Sequence, residues 1–209
     1  MIKHDAGKDE YSVTMRSPIN IALVKYWGKA HEKLIIPTNN SLSLTINKAD
    51  LCSTTTVTIS RATKKAGNDS AVTLILNETE QKGVSERITR VVKIIQDRAK
   101  VASIKAKSKS ILVRQGNKIV SVPLKDLVGK TEIRVESVNN FATAAGLASS
   151  ASGLACLARC IAAVYGIEES FEGEFSMYAR LGSGSACRSL YGGVVEWKRG
   201  YDSESELEN

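Results

Sequence analysis

Three short runs place groups that bind phosphate or carboxylate beside glycine and serine. In Gly182-Ser183-Gly184-Ser185-Ala186-Cys187-Arg188, two hydroxyls precede a guanidinium, whose planar fork holds a carboxylate or phosphate through paired hydrogen bonds. The same run also reads as a flexible connector carrying a solvated arginine. Around Gly146, Ala148, Ser149, Ser150, Ala151, Ser152 and Gly153 there is almost no side-chain bulk. At a helix start, such residues let backbone N–H groups and the positive dipole end meet phosphate oxygens, with Ser149 and Ser150 adding hydroxyl donors or a magnesium ligand. This is not a Walker loop, which needs a Lys followed by Ser or Thr after its glycines. Small residues also serve close helix packing, and that reading stands beside the phosphate cradle. In the third run, Lys25-Tyr26-Trp27-Gly28-Lys29, two cations could clamp anionic oxygens between aromatic walls. Alternatively, the aromatics are core residues with lysines snorkelling past them.

Periodicity predicts the elements that must position these runs. Alternation of Val, Thr, Ile and Leu over residues 11–16, 41–46, 51–60 and 71–76 predicts strands, so the first third is mainly sheet. Val84, Ile88, Val91, Val92, Ile95 and Ala99 recur at helical spacing and predict an amphipathic helix over 84–99, with Arg87, Arg90, Lys93 and Asp97 on its wet side. Residues 111–113 and 119–122 read as a hairpin across 115–118, ended by Pro123. A strand over 132–138 then feeds the small-residue loop 139–146 and a helix over 147–165 that Gly166 caps. A short helix near 175–181, a loop at 182–186 and a closing strand at 193–197 follow. The plan is one α+β domain over 11–200, between a flexible N-terminus, 1–10, and a frayed acidic tail, 201–209.

With 209 residues, 43% of them hydrophobic, the chain can bury a sizeable core. A net charge of +7 and a pI near 9.2 favour anionic partners without choosing among phosphorylated metabolites, nucleotides and nucleic acid. The basic excess over 93–130 lacks interleaved aromatics, so it reads as a solvated loop or hairpin rather than a face for RNA. No run is long and apolar enough for a membrane span. Residues 1–10 carry Lys3, Asp5, Lys8, Asp9 and Glu10 where a signal peptide needs an apolar stretch, so the expected address is cytoplasmic. Cys52, Cys156, Cys160 and Cys187 lack metal-ligand spacing and read as small buried thiols.

Taken in order, the runs resemble the mevalonate diphosphate decarboxylases, members of the kinase superfamily named after galactokinase, homoserine kinase, mevalonate kinase and phosphomevalonate kinase. The resemblance rests on Ser17-Pro18-Ile19-Asn20-Ile21-Ala22 with Lys25-Tyr26-Trp27-Gly28-Lys29, and on Pro37-Thr38-Asn39-Asn40-Ser41-Leu42-Ser43. It continues in Asn139-Asn140-Phe141 with Thr143-Ala144-Ala145-Gly146-Leu147-Ala148-Ser149-Ser150-Ala151, and from Gly182 through Arg188 to Gly193. It implies an N-terminal domain like the second domain of ribosomal protein S5, followed by a ferredoxin-like domain, with substrates bound between them. It further implies a homodimer and a reaction in which Mg-ATP phosphorylates the 3-hydroxyl of mevalonate 5-diphosphate before phosphate and carbon dioxide leave. By that resemblance Asn140, Ala145, Gly146, Leu147, Ala148, Ser149 and Ser150 would hold ATP, with Ser150 on magnesium. Asn20, Lys25, Tyr26, Lys29, Ser183, Ser185 and Arg188 would address the substrate, Arg188 orienting its carboxylate and Lys25 stabilising charge near the transferred phosphoryl group.

The sequence departs from the family in three ways. Ala142 stands where members usually have Pro, and the 103–130 stretch looks longer than usual. The C-terminal Asp-Ala-Gly-Pro-Asn motif, with the family's general base, is lacking; Asp5-Ala6-Gly7 is followed by Lys8 and precedes the first strand. The expectation is that these 209 residues alone turn over poorly, with the C-terminal domain largely or wholly absent. Two other readings stay open: a small-molecule kinase of the same superfamily, which would release no carbon dioxide, and a catalytically silent fragment that binds phosphorylated ligands.

Overall fold

The alternating segments form strands, and the side chains they turn inward decide the layout. The computed structural model describes residues 10–61, 71–105, 110–115, 118–123, 131–142 and 149–200. The expected flexible start (apart from Glu10) and acidic tail lie outside them, as do residues 143–148 of the small-residue loop. Chain order is β1 (Glu10–Pro18), β2 (Asn20–Val24), β3 (Lys29–His31), β4 (Ile36–Pro37), β5 (Ser41–Thr45), β6 (Cys52–Arg61), β7 (Ala71–Leu76) and β8 (Thr79–Glu80). Then come α1 (Glu86–Lys105), β9 (Ser110–Gln115), β10 (Lys118–Pro123), β11 (Thr131–Asn139), α2 (Ser149–Val164), α3 (Glu174–Gly182), a 3-10 segment (Gly184–Leu190) and β12 (Gly193–Trp197).

The larger sheet has the order β1-β6-β11-β7-β8, with β6 antiparallel to both neighbours and β7 parallel to β11. The two-residue period sends Ser53, Thr55, Val57 and Ile59 of β6, and Ile133, Val135 and Ser137 of β11, to the same buried face. One end of that face is apolar. There Val57, Ile59, Ile133 and Val135 meet Leu157, Ile161 and Val164 of α2, and Val91 and Ile95 of α1. Each such side chain contributes about 1.5–3 kcal/mol on leaving water. The other end carries hydroxyls, and it is there that α2 begins. Gly166, at φ 59°, ends α2 in the left-handed conformation expected of it.

Two expectations are modified. Helix α1 runs on to Lys105 rather than stopping near Ala99, because its last turns hold Lys and Ala, good helix formers, with no breaker among them. The expected loop at 182–186 is instead the end of α3 and the start of the 3-10 segment. The hairpin does form, with β9 and β10 antiparallel and Ile111 opposite Val122. All four cysteines are buried free thiols.

The smaller sheet, β12-β5-β2, is antiparallel throughout and was expected only in part, since β2 carries no clear alternation. Its inward residues include Asn20, Ser41, Ser43 and Trp197, all buried, and the 3-10 segment covers them.

Candidate functional site

Arg188 occupies the 3-10 segment with only 2% of its surface exposed. Its Nη1 donates to Ser41 Oγ at 2.5 Å, Nε to Asn20 Oδ1 at 3.3 Å and Nη2 to Ser185 Oγ at 3.3 Å. The guanidinium also lies 5.7 Å from the centre of the Trp197 ring. Asn20 is fixed in turn, donating from Nδ2 to Ser189 Oγ at 2.7 Å and to the Ser185 carbonyl at 3.0 Å. Every hydrogen-bonding partner here is a neutral oxygen, and Arg188 forms no ion pair among the described residues. Burial pulls its pKa below the ordinary value. A buried cation without a counter-charge is unfavourable unless an anion completes it.

The strand–loop after β2 borders this cradle. Tyr26 packs edge-on against Trp197 with ring centres 4.8 Å apart, and a side chain at Gly184 would meet the Tyr26 hydroxyl at 2.9 Å and Trp197 at 3.1 Å. Only glycine fits this approach. Thr38 and Asn39 hold the loop from outside: Thr38 Oγ1 donates to the Trp27 carbonyl, while Asn39 Oδ1 accepts from Trp27 N at 2.8 Å and its Nδ2 donates to the Lys25 carbonyl at 3.1 Å. Lys25 and Trp27 are exposed, and Lys29 pairs with Glu32 at 2.8 Å. Ser183 is half-buried in extended conformation, and its carbonyl accepts from Ala186 N at 2.8 Å, opening the 3-10 turn.

Thus Asn20, Ser185, Arg188 and Tyr26 converge, whereas Lys25 and Lys29 stand on the rim. Ser41, Ser189 and Trp197 complete the cradle without having been picked out for a role. The signal available in sequence was Ser41 and Ser43 repeating at a two-residue period in a strand, which marks a shared face but not which way it turns.

The second candidate region is the start of α2. A cavity of about 410 Å³ opens beside Ser149 and Ser150, with largely apolar walls that include Leu74, Leu76, Val135 and Leu157. Asn77, Asn139 and Arg87 also line it. Beneath it, Ser53 Oγ donates to Asn139 Oδ1 at 2.7 Å and lies 2.6 Å from Ser152 Oγ, while Thr55 Oγ1 meets Ser137 Oγ at 2.9 Å. These contacts tie the helix start to β6 and β11. Asn140, expected against ATP, staples the loop that leads into β6: its Oδ1 accepts from Cys52 N at 2.8 Å and its Nδ2 donates to the Asp50 carbonyl at 2.7 Å. Ala145, Gly146, Leu147 and Ala148 lie outside the described residues. No group of three metal-ligating side chains occurs among the described residues. The hydroxyls of Ser149 and Ser150 fit a magnesium ion that takes most of its oxygens from nucleotide phosphates and water.

Known proteins match this chain over most of its length. The Diphosphomevalonate decarboxylase-like N-terminal domain family matches residues 17–207. Diphosphomevalonate decarboxylase of Rattus norvegicus is 41% identical over 194 residues, covering 93% of this chain and 42% of its own length. The chain thus spans less than half of that relative. Mevalonate diphosphate decarboxylase from Enterococcus faecalis, solved in a study of mevalonate diphosphate mediated ATP binding, superposes with a TM-score of 0.62 at 36% identity, over 92% of this chain and 49% of that one. A chain named MDDEF, in complex with MVAPP, AMPPCP and magnesium, gives a TM-score of 0.66 at 35% identity, over 92% of this chain and 48% of that one.

Proposed function

Because this chain belongs to the Diphosphomevalonate decarboxylase-like N-terminal domain family, we propose that it supplies the substrate cradle and the nucleotide corner for ATP-dependent decarboxylation of mevalonate 5-diphosphate to isopentenyl diphosphate. The observation that carries this reading is Arg188, a buried guanidinium held by three neutral oxygens and paired with no acidic side chain among the described residues. A substrate carboxylate or diphosphate completes it through the charge-assisted pairing that a planar fork favours.

The proposed reaction transfers the terminal phosphoryl group of ATP to the substrate's tertiary 3-hydroxyl. The carbon–oxygen bond then breaks with phosphate leaving, and the electron pair of the bond to the carboxylate forms the new double bond as carbon dioxide departs. Arg188 fixes the carboxylate and Asn20 fixes Arg188, so the bond that must break is held in one orientation before charge develops. Tyr26 and Trp197 wall this side of the site, while Lys25 and Lys29 on the rim attract the diphosphate. At the other region, ATP rests its base in the apolar cavity and its phosphates against Ser149, Ser150 and the start of α2. Magnesium, when bound, neutralises charge on those phosphates. The reaction's general base is to come from the C-terminal part of a family member's chain.

Calorimetric titration with mevalonate 5-diphosphate tests the cradle. Saturable binding that Arg188→Ala weakens more than tenfold, in protein whose fold is verified, is the expected result. Equal affinity in the two proteins, or no binding to either, would overturn the assignment of these residues to the substrate.

A further inference from the structure

Beside the 3-10 segment lies another cavity, of about 460 Å³, lined neither by the residues that hold the Arg188 guanidinium nor by the start of α2. Its volume falls within the range of about 300–1,000 Å³ that small ligands use. Arg16 of β1, Lys48 in the turn between β5 and β6, and Arg159 of α2 all line it, and none of the described residues around it is acidic. None of the three cations forms an ion pair among the described residues, whereas Lys29, Arg90, Arg98, Lys100 and Arg134 each do. Arg159 is also held in place, its guanidinium 4.7 Å from the centre of the buried Phe175 ring. Two hydroxyls of the wall are engaged with the 3-10 segment: Ser17 Oγ donates to the Ser189 carbonyl at 3.0 Å and Thr45 Oγ1 to the Arg188 carbonyl at 3.5 Å. Met15, Ile46 and Leu190 add apolar surface. A concavity lined by one sign of charge and low-dielectric walls focuses its field on the enclosed space and raises the local concentration of the opposite charge.

We propose that this cavity binds a small organic diphosphate, at a site separate from those of substrate and nucleotide. Cations drawn from three different elements match the charge of a diphosphate group, and two of them are guanidiniums, whose planar forks pair with phosphate oxygens. The apolar surface takes the short carbon chain esterified to that group. An occupant rests against Ser17, Thr45 and Ser189, which line the cavity and tie the 3-10 segment that carries Arg188 to β1 and β5. The proposal does not depend on the catalytic reading.

The test is an NMR titration of the nitrogen-15-labelled chain with inorganic diphosphate and then with isopentenyl diphosphate. It is run in about 0.15 M salt, where exposed charges farther apart than about 8 Å are largely screened. Amide signals of Asn47, Gly192 and Gly193 report the cavity, and those of Ser183 and Ser185 the cradle. Saturable shifts are expected in the first set, at a concentration at least threefold lower for the ester than for inorganic diphosphate. Arg16→Gln with Lys48→Gln should weaken that binding at least tenfold, and Arg159→Gln alone at least threefold, while Ser183 and Ser185 respond as in the wild type. All three side chains are exposed, so the variants keep the fold, which the unchanged remainder of the spectrum verifies. Shifts that do not saturate, or that sulfate at equal charge reproduces, overturn the proposal, as does binding that none of the substitutions weakens. So does an RNA oligonucleotide that displaces diphosphate at a lower concentration than the ester, which gives the cations to nucleic acid.

Discussion

The two sheets solve opposite problems with the same two-residue period. In the larger one the buried face is apolar where Val57, Ile59, Ile133 and Val135 pack under α1 and α2, and carries hydroxyls at Ser53, Thr55 and Ser137, next to the cavity. In the smaller one the covered face mixes Asn20, Ser41 and Ser43 with Trp197 beneath a buried arginine. Stability is concentrated in the first sheet. The second sets buried polar groups under the 3-10 segment, and one of them, Ser43 Oγ, has no hydrogen-bond partner among the described residues.

Equivalent deletions in the two sheets should therefore have opposite signs. Ile59→Ala removes a fully buried side chain from the larger sheet and should cost about 2–5 kcal/mol in urea denaturation. Ser43→Ala removes an orphaned hydroxyl from an equally buried position and should stabilise by about 1 kcal/mol. A loss at Ser43 as large as that at Ile59 would mean that the smaller sheet is packed for stability after all.

A hinge of charge joins the two regions. Glu174, at the start of α3, is buried and receives Arg98 Nε of α1 at 2.8 Å, the Tyr178 hydroxyl at 2.5 Å and Ser170 N at 2.7 Å. Burial alone would raise its pKa, but these donors together outweigh burial and hold it at about 2, against an ordinary 4.5. A depressed carboxyl stabilises the fold above its unfolded pKa, and the contribution is lost as pH falls from about 4.5 towards 2. Between about pH 6 and about pH 3 the loss from this one group should approach about 2 kcal/mol. Urea titrations of wild type and Glu174→Gln measure it as a difference in slope with pH. Parallel curves would show that α3, which leads into the 3-10 segment, is not anchored by this charge.

Much of this architecture was legible in the sequence, because long periodic segments declare themselves. Residues 71–76 and 193–197 form strands over the whole expected range, and Gly166 ends its helix with the positive φ that its position demanded. The cradle was legible only in part. Arg188, Asn20 and Ser185 stood out by type, but Ser41 lies 147 positions from Arg188, and no local pattern tells a serine that holds an arginine from one that faces water. The structural part of Asn140 was hidden for the complementary reason. A short polar side chain after a strand serves a ligand or its own loop equally well, and here Asp50 and Cys52 take it. Lys25 and Lys29 are exposed, on a loop fixed through its backbone by Thr38 and Asn39, and Lys29 is paired with Glu32 rather than with any partner of the buried arginine.

Ile35 offers the finest distinction between stability and site. It has φ 53°, a conformation that costs a β-branched residue about 1–2 kcal/mol, yet its Cγ2 would lie 3.2 Å from a side chain placed on Gly184. The strained residue therefore packs over the glycine that lets Tyr26 and Trp197 approach the 3-10 segment. Ile35→Gly should relieve the backbone and lose that packing, so the two effects nearly cancel and the Tm stays close to wild type. Affinity for mevalonate 5-diphosphate should nonetheless fall severalfold, since the wall over Gly184 is gone. A clear rise in Tm with unchanged affinity would show instead that the strain serves no ligand, and that the boundary of the cradle lies at Tyr26.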